Sequence, residues 1–457
     1  MKKTNIISIL LGITSLLFSA CAKFLEEKSD KALSIPITVE DYQAMLNNFG
    51  TLNTNFIAAG EVSSDDYYLT DADYNGLFYE SDKRLYTWKP DFIARPQSSA
   101  GDEWYNCYQA IYVCNSVLHG LEQNSLSGAK ADNIKGQAFV FRASRYLDGM
   151  QIWSPSYNEQ TADKDLGMVL RLDPDINITS VRSTVKQTYN LIVEDLTAAT
   201  KLLSDDPLGP TIPTKDVAYG LLARTYLCMG KYGQALRSAE NALKYTDAKI
   251  VDFNKLDPDS EFPIPAINNI SEEMMMWSVI FYSDQLDNSI ARITPDLYAL
   301  YDNNDLRRAI YFGKNEDRSY FFKGSHLGGP GLVNSPTPAE MLLIVAECNA
   351  RLGNLAEAAT ALNQLMVKRI QTNNFTPISF ASTEIALDVI LKERRKELVM
   401  RGLRWSDIKR LNKEGSNISL TRKLDGQTYI LPSNDPRFAI AIPETVIEIS
   451  GILQNPR

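Results

Sequence analysis

Leu222-Ala223-Arg224-Thr225-Tyr226, followed by Gly230-Lys231-Tyr232 and then by Ala235, Ala239, Ala242 and Leu243, sets small and aromatic residues at the offsets of two helices joined by a glycine turn. The alanines let the two helices approach closely, and Gly230 makes the turn. The same spacing returns 123 residues later, where Ala346, Gly353, Leu355, Ala358 and Leu362 take the places of Ala223, Gly230, Tyr232, Ala235 and Ala239. Two independent copies predict a mainly α chain built from paired helices. Weaker helical periodicity runs through Trp104 to Leu121, Ile134 to Trp153 and Val185 to Leu203. The expectation is a helical solenoid of several units, of the tetratricopeptide type, interrupted by long insertions.

Two insertions break the period. Residues 51–100 carry Asp65-Asp66-Tyr67-Tyr68, Tyr74, Phe78, Tyr79, Tyr86 and Trp88 among Gly, Asn, Asp and Pro, which reads as loop punctuated by aromatics. Residues 246–335 combine an expected strand, Met274 to Tyr282, with turn-rich stretches such as Gly324 to Gly331. Insertions of this length in a compact chain are usually functional or disordered, and their aromatic content favours function.

The chain opens on Met1-Lys2-Lys3, an apolar run from Ile6 to Phe18, and Ser19-Ala20-Cys21. The run is too short to cross a hydrocarbon core of about 30 Å but has the length of a secretory signal. Cleavage before Cys21 leaves that cysteine first, and Phe18-Ser19-Ala20-Cys21 resembles a bacterial lipobox, with Phe18 where leucine is usual. Residues 1–20 are thus expected to be a lipoprotein signal peptide and Cys21 the lipidated residue. No other long apolar segment follows. The formal net charge of −9 argues against nucleic acid as a partner. Cys107, Cys114, Cys228 and Cys348 fall in apolar helical patterns, and Cys107 and Cys114 are seven residues apart on one helix, about 10 Å along its axis. That exceeds disulfide reach, so free buried thiols are expected.

Catalytic motifs are not evident. His119 and His326 are the two histidines, neither in a spaced metal motif, and no nucleophile elbow, phosphate loop or dinucleotide fingerprint occurs. A glycosidase needs two carboxyls about 5 to 9 Å apart. Asp65-Asp66 and Glu272-Glu273 supply neighbouring acids, but in an acidic chain such pairs are usually solvated. Sugar binding instead needs flat apolar faces with hydroxyl partners at their edges. The loops supply Trp88, Tyr67, Tyr68, Tyr282 and Tyr320 as candidate platforms, with Asp66, Arg84 and Asn75 as polar partners and residues 65–90 as the expected centre. Trp104 and Trp405 fall within the helical pattern and are assigned to packing. Trp153 precedes Ser154-Pro155 and is open to either role.

Glu393-Arg394-Arg395-Lys396-Glu397-Leu398-Val399-Met400-Arg401-Gly402-Leu403-Arg404-Trp405-Ser406-Asp407-Ile408-Lys409-Arg410 resembles the C-terminal signature of the SusD/RagB family of nutrient-binding outer-membrane lipoproteins. The resemblance extends to Arg182-Ser183-Thr184-Val185 with Tyr189, Ile192 and Asp195-Leu196, to Leu222-Ala223-Arg224, and to Pro338 through Leu343 with Ala346-Glu347. It also covers Ile442-Pro443 and Leu453 through Pro456 at the end. Read for itself, the signature holds eight basic and three acidic residues between Lys392 and Arg410. These are expected to be architecture, with Glu393 and Glu397 bridging the neighbouring arginines and Leu398 and Trp405 as apolar anchors.

The resemblance implies a single domain over 21–457. About four tetratricopeptide-like helix pairs, spanning about 36–50, 101–245 and 336–412, would carry a ligand face built from the insertions. It further implies a cell-surface protein of the outer membrane that captures a nutrient, most often a glycan, and delivers it to a SusC-type TonB-dependent transporter, without cofactor or catalysis. A peptide or other nutrient in the same complex is the alternative ligand, and glycoside hydrolysis a more distant one.

Overall fold

The computed structural model describes residues 35–91, 102–206 and 208–457, so Cys21 and the apolar run before it lie outside the described residues. The scaffold consists of α1 (Glu103–Gln123), α2 (Ala129–Trp153), α3 (Val185–Leu202), α4 (Lys215–Cys228), α5 (Tyr232–Tyr245), α6 (Pro338–Arg351), α7 (Leu355–Met366), α8 (Thr383–Glu397) and α9 (Arg404–Lys413). Local chemistry sets their starts. Asp102 accepts the Tyr105 N–H ahead of α1, Thr184 and Gln187 form a capping box at α3, and Thr337 caps α6 just before Pro338. Neighbours in sequence pack as neighbours in space: α1 on α2, α2 on α3, α4 on α5, α5 on α6 and α6 on α7, with α8 against α6.

The two glycine turns are one structure used twice. Gly230 has φ of +69° and Gly353 of +84°. The Lys231 N–H returns to the Tyr226 carbonyl at 2.8 Å, and the Asn354 N–H to that of Asn349 at 2.9 Å. Both are left-handed helix ends in which glycine alone escapes the Cβ penalty. Ala223, Ala235, Ala239, Ala346, Ala358 and Leu362 are all completely buried in the helix interfaces these turns create.

The insertions are more structured than their composition suggests. Residues 51–100, expected as loop, contain the short helices Ala59–Ser63, Asp71–Gly76 and Glu80–Tyr86. Together with parts of 246–335 they build a second core in which Phe56, Val62, Tyr67, Tyr86, Tyr301 and Tyr311 meet Val399 and Met400 of the signature segment. The strand expected at Met274 to Tyr282 forms no ladder with a single partner. Its backbone donors go instead to Pro336 from Met275, Pro210 from Trp277, Asn53 from Val279, Leu332 from Ile280 and Phe56 from Phe281. An extended segment threaded between several loops satisfies its N–H groups one loop at a time.

Irregular backbone buried in this way needs donors for its carbonyls, and arginines supply them. Arg145 of α2 reaches the carbonyls of Thr51, Leu52, Thr54 and Asn55, with its guanidinium 3.9 Å from the Phe56 ring centre. Arg224 of α4 pairs both ways with Glu340 at 2.6 Å and donates to the Asn334 carbonyl. Arg401 holds the carbonyls of Val333 and Ser335, and Arg369 that of Val251. Arg422 bonds the carbonyls of Val62, Ser64 and Tyr86 while lying over the rings of Tyr86 and Trp88, 3.5 and 4.7 Å from their centres.

The charged signature is architecture, but its pairing differs from the expectation. Glu397 bridges Arg307 and Arg369, and Glu393 bridges Arg307 and Lys396, so the arginines come from other parts of the chain. Neighbouring Arg394 and Arg410 turn to Asp407, and Arg410 also to Glu347. Helix geometry explains this, because α8 packs one face inward and the partners must come from whatever it packs against. Trp405 is 1% exposed, and its indole N–H donates to the Phe438 carbonyl at 3.1 Å. Cys107, Cys114, Cys228 and Cys348 are unpaired. No helix among the described residues is long and apolar enough to cross a membrane.

Candidate ligand-binding site

Three pieces of the insertions converge on one open cavity of about 670 Å³. Tyr67 and Tyr68 pair antiparallel with Ile293 and Arg292, which carries Tyr68 to its rim. Pro295 starts a single helical turn, Pro295–Tyr298, that presents Tyr298. A hairpin pairing Phe312–Lys314 with Tyr320–Phe322 brings Tyr320 beside it. The rings of Tyr298 and Tyr320 are stacked, with centroids 3.6 Å apart and planes 14° from parallel. Phe312 packs edge-on to Tyr298 from below at 5.6 Å.

Polar groups fix this pair in place. Arg308 donates from Nε to the Tyr298 hydroxyl at 2.9 Å and from Nη1 to the Asn303 side-chain carbonyl, with its guanidinium 4.8 Å from the Tyr298 ring centre. The hairpin turn is tied by Asp317, which accepts from the backbone and hydroxyl of Ser319 at 2.9 and 2.5 Å and from Arg292 Nε at 3.2 Å. Burial and the adjacent Tyr320 hydroxyl raise the Tyr298 phenol above its usual pKa, so it stays a neutral hydroxyl at physiological pH. Asp302, Asn303 and Ser319 line the same cavity and offer acceptors and donors around the ring pair. Half-buried phenols beside amide, carboxylate and guanidinium groups suit a ligand that is apolar on one face and hydroxylated at its edge.

The sequence candidates divide sharply. Tyr68 and Tyr320 line this cavity together. Tyr67 and Trp88 are 1% and 5% exposed, with the Tyr67 hydroxyl on the Val62 carbonyl and the Trp88 indole N–H on that of Ser63, so they are core residues with no open face. Asp66 is likewise buried and paired with Arg395, while Asp65 is held by Arg395 and Arg404. The centre expected at 65–90 is therefore displaced, because Arg422 folds that stretch onto the second core. Arg84 turns to Asp91 and Glu80, and Asn75 bonds Asp425 on the surface. Tyr282 is exposed and donates to Asp287 at 3.0 Å, and it does not line this cavity. Trp104 and Trp153 pack on each other in the core at 4.9 Å.

Sequence reasoning missed Tyr298, Asp302, Asn303 and Arg308. Their signal was present in Pro295 through Arg308, an aromatic and amide-rich stretch inside the second insertion, but aromatic surplus in a loop does not say which rings end up covered. A second cavity of about 550 Å³, between 204–216 and 244–275, has Tyr245 as its aromatic wall, and Lys215 and Lys244 lie 5.8 and 5.6 Å from that ring. Of the other acids considered, Glu273 is buried against Arg369 at 2.8 Å. His326 is buried and bonds Ser271, and His119 is exposed at the end of α1. Among the described residues no cluster of His, Cys, Asp or Glu is disposed to hold a metal ion.

Residues 23–227 match a family described as starch-binding and associating with the outer membrane, and residues 338–437 match the SusD family. SusD-like protein P2 of Formosa agariphila is 22% identical over 414 residues, covering 77% of this chain and 79% of the relative. Among solved structures, a SusD superfamily protein from Bacteroides thetaiotaomicron superposes with a TM-score of 0.72 at 22% identity, covering 92% of this chain and 100% of the other. A SusD-like carbohydrate-binding protein from Bacteroides vulgatus gives 0.66 at 18% identity, covering 90% and 96%.

Proposed function

The chain belongs to the SusD family, and on that premise we propose that it captures an oligo- or polysaccharide at the cell surface and passes it to a SusC-type TonB-dependent transporter. The observation that carries this reading is the stacked Tyr298–Tyr320 pair, held by Arg308 at the mouth of a cavity large enough for several sugar rings. Such rings offer C–H contact to one face of a pyranose, and Asp302, Asn303 and Ser319 offer hydrogen bonds to its hydroxyls. Capture rather than turnover is supported by the engagement of both members of one acid pair considered for catalysis and one member of the other: arginines hold Asp65, Asp66 and Glu273, while Glu272 lies exposed at the surface. The carbohydrate-binding description of the Bacteroides vulgatus relative agrees with this. Tethering through a lipid on Cys21 would hold the protein at the outer membrane beside its transporter.

Calorimetric titration of the purified chain with a panel of oligosaccharides and peptides tests the reading. A glycan is expected to bind, and Tyr298→Ala and Tyr320→Ala are each expected to weaken it by about 1 to 3 kcal/mol, as for aromatic anchors of an interface. Binding of a peptide in place of every glycan, or indifference to both substitutions, would overturn it.

A further inference from the structure

Arginines that carry structure in this molecule are answered either by carboxylates, Arg142 by Asp195, Arg224 by Glu340, Arg404 by Asp65 and Arg410 by Glu347, or by sets of buried backbone carbonyls, as at Arg145, Arg401 and Arg422. The cavity beside Tyr298 is different. Arg308 and Arg318 both line it, and neither has a carboxylate within 4.0 Å among the described residues. The partners of Arg308 are neutral: the Tyr298 hydroxyl at Nε, the Asn303 side-chain carbonyl at Nη1 and the nearby Tyr320 hydroxyl. Of the carboxylates in the wall, Asp317 is already paired with Arg292, which leaves Asp302 against two unanswered guanidinium groups. A chain of net charge −9 thus places a local excess of positive charge around its stacked tyrosines.

Resting on the reading of this cavity as a glycan site, we propose that its ligand is an acidic saccharide, whose carboxylate or sulfate ester is bound by Arg308 with help from Arg318. The physical reason is desolvation. A neutral sugar seated on Tyr298 and Tyr320 strips water from a guanidinium and returns only hydroxyl contacts, whereas an anion returns charge-assisted hydrogen bonds to a fork already oriented through Nε and Nη1. Uronates and sulfated sugars share this chemistry. Asp302 and Asn303 remain for the hydroxyls.

The test is titration of the purified full chain with neutral, uronate-bearing and sulfated oligosaccharides of matched length, at low and high salt. An acidic ligand is expected to bind tightest and to weaken as salt rises. Arg308→Gln should weaken it by about ten- to a hundredfold, the loss expected for a hydrogen bond to a charged group, and should affect a neutral analogue much less. Arg308→Lys should retain part of the affinity, and Arg318→Gln, on an exposed turn, gives a second reading should the first variant fold poorly. The uronate and sulfate arms tell the two anions apart. If a neutral oligosaccharide binds as tightly and salt and both arginine substitutions leave it unchanged, the acidic inference is overturned while the glycan site stands. If no oligosaccharide responds to Tyr298→Ala or Tyr320→Ala, the glycan site itself is rejected.

Discussion

Trp405 ties the signature helix to the segment around Phe438, its ring 4.7 Å from the Phe438 ring and its N–H on the Phe438 carbonyl. Replacing it by alanine leaves a cavity in the main core, and the cost expected is about 3 to 5 kcal/mol, read as a fall in denaturant midpoint. An unchanged midpoint would contradict the packing described. The tyrosines and tryptophans of the insertions show how finely residue-scale reading divides. Trp405 and Trp104 were legible as packing residues because they fall within a helical period. Tyr67 and Trp88 were not, because the group that covers them, Arg422, lies more than 330 positions away in the chain. Neighbouring Tyr67 and Tyr68 took opposite fates for a simple reason: adjacent residues of an extended strand face opposite sides, so one entered the core and the other the cavity rim.

At the scale of elements, the paired helices were readable since glycine turns and alanine spacing are local signals, and Gly230 and Gly353 behave alike 123 residues apart. The insertions were not, since each is fastened by arginines from distant parts of the chain. These buried ion pairs make a prediction about pH. Burial opposes ionisation of Asp305 and Asp407, but Arg307 and Lys396 around the first, and Arg394 and Arg410 around the second, more than offset it and hold both near a pKa of about 2. Folded, both carboxyls bind protons less tightly than when unfolded. Their contribution is therefore complete above about pH 4 and is lost as pH falls toward 2. Glu103 is the opposite case. Burial raises it to about 8, so the folded chain binds the extra proton and stability declines as pH climbs from about 4.5 to 8. Melting temperature followed from pH 2 to 9 should rise on the acid side and sag toward pH 8, and Glu103→Gln should lessen the sag. A sag of the same depth in that variant would assign it to other groups.

For the molecule as a whole, the proposal is a helical frame that presents a candidate sugar-binding cavity and would be held on a membrane through lipid on Cys21. Cys21→Ala should shift the protein from the membrane to the soluble fraction in cells lacking the transporter, and a variant that still sediments with outer membranes would exclude the lipid as anchor. The frame and the family were readable from the sequence. Of the site, the sequence offered Tyr68 and Tyr320 but not their convergence with Tyr298 and Arg308, which depends on a two-residue strand pairing and a five-residue hairpin turn too short to leave a periodic signal. If the ligand sits at this convergence, a crystal structure of the full chain with its tightest-binding oligosaccharide will show it there. A sugar ring is expected in van der Waals contact with Tyr298 or Tyr320 and within hydrogen-bond reach of Arg308 and Asn303; a ligand seated in any other cavity, with the stacked tyrosines untouched, would rule this site out.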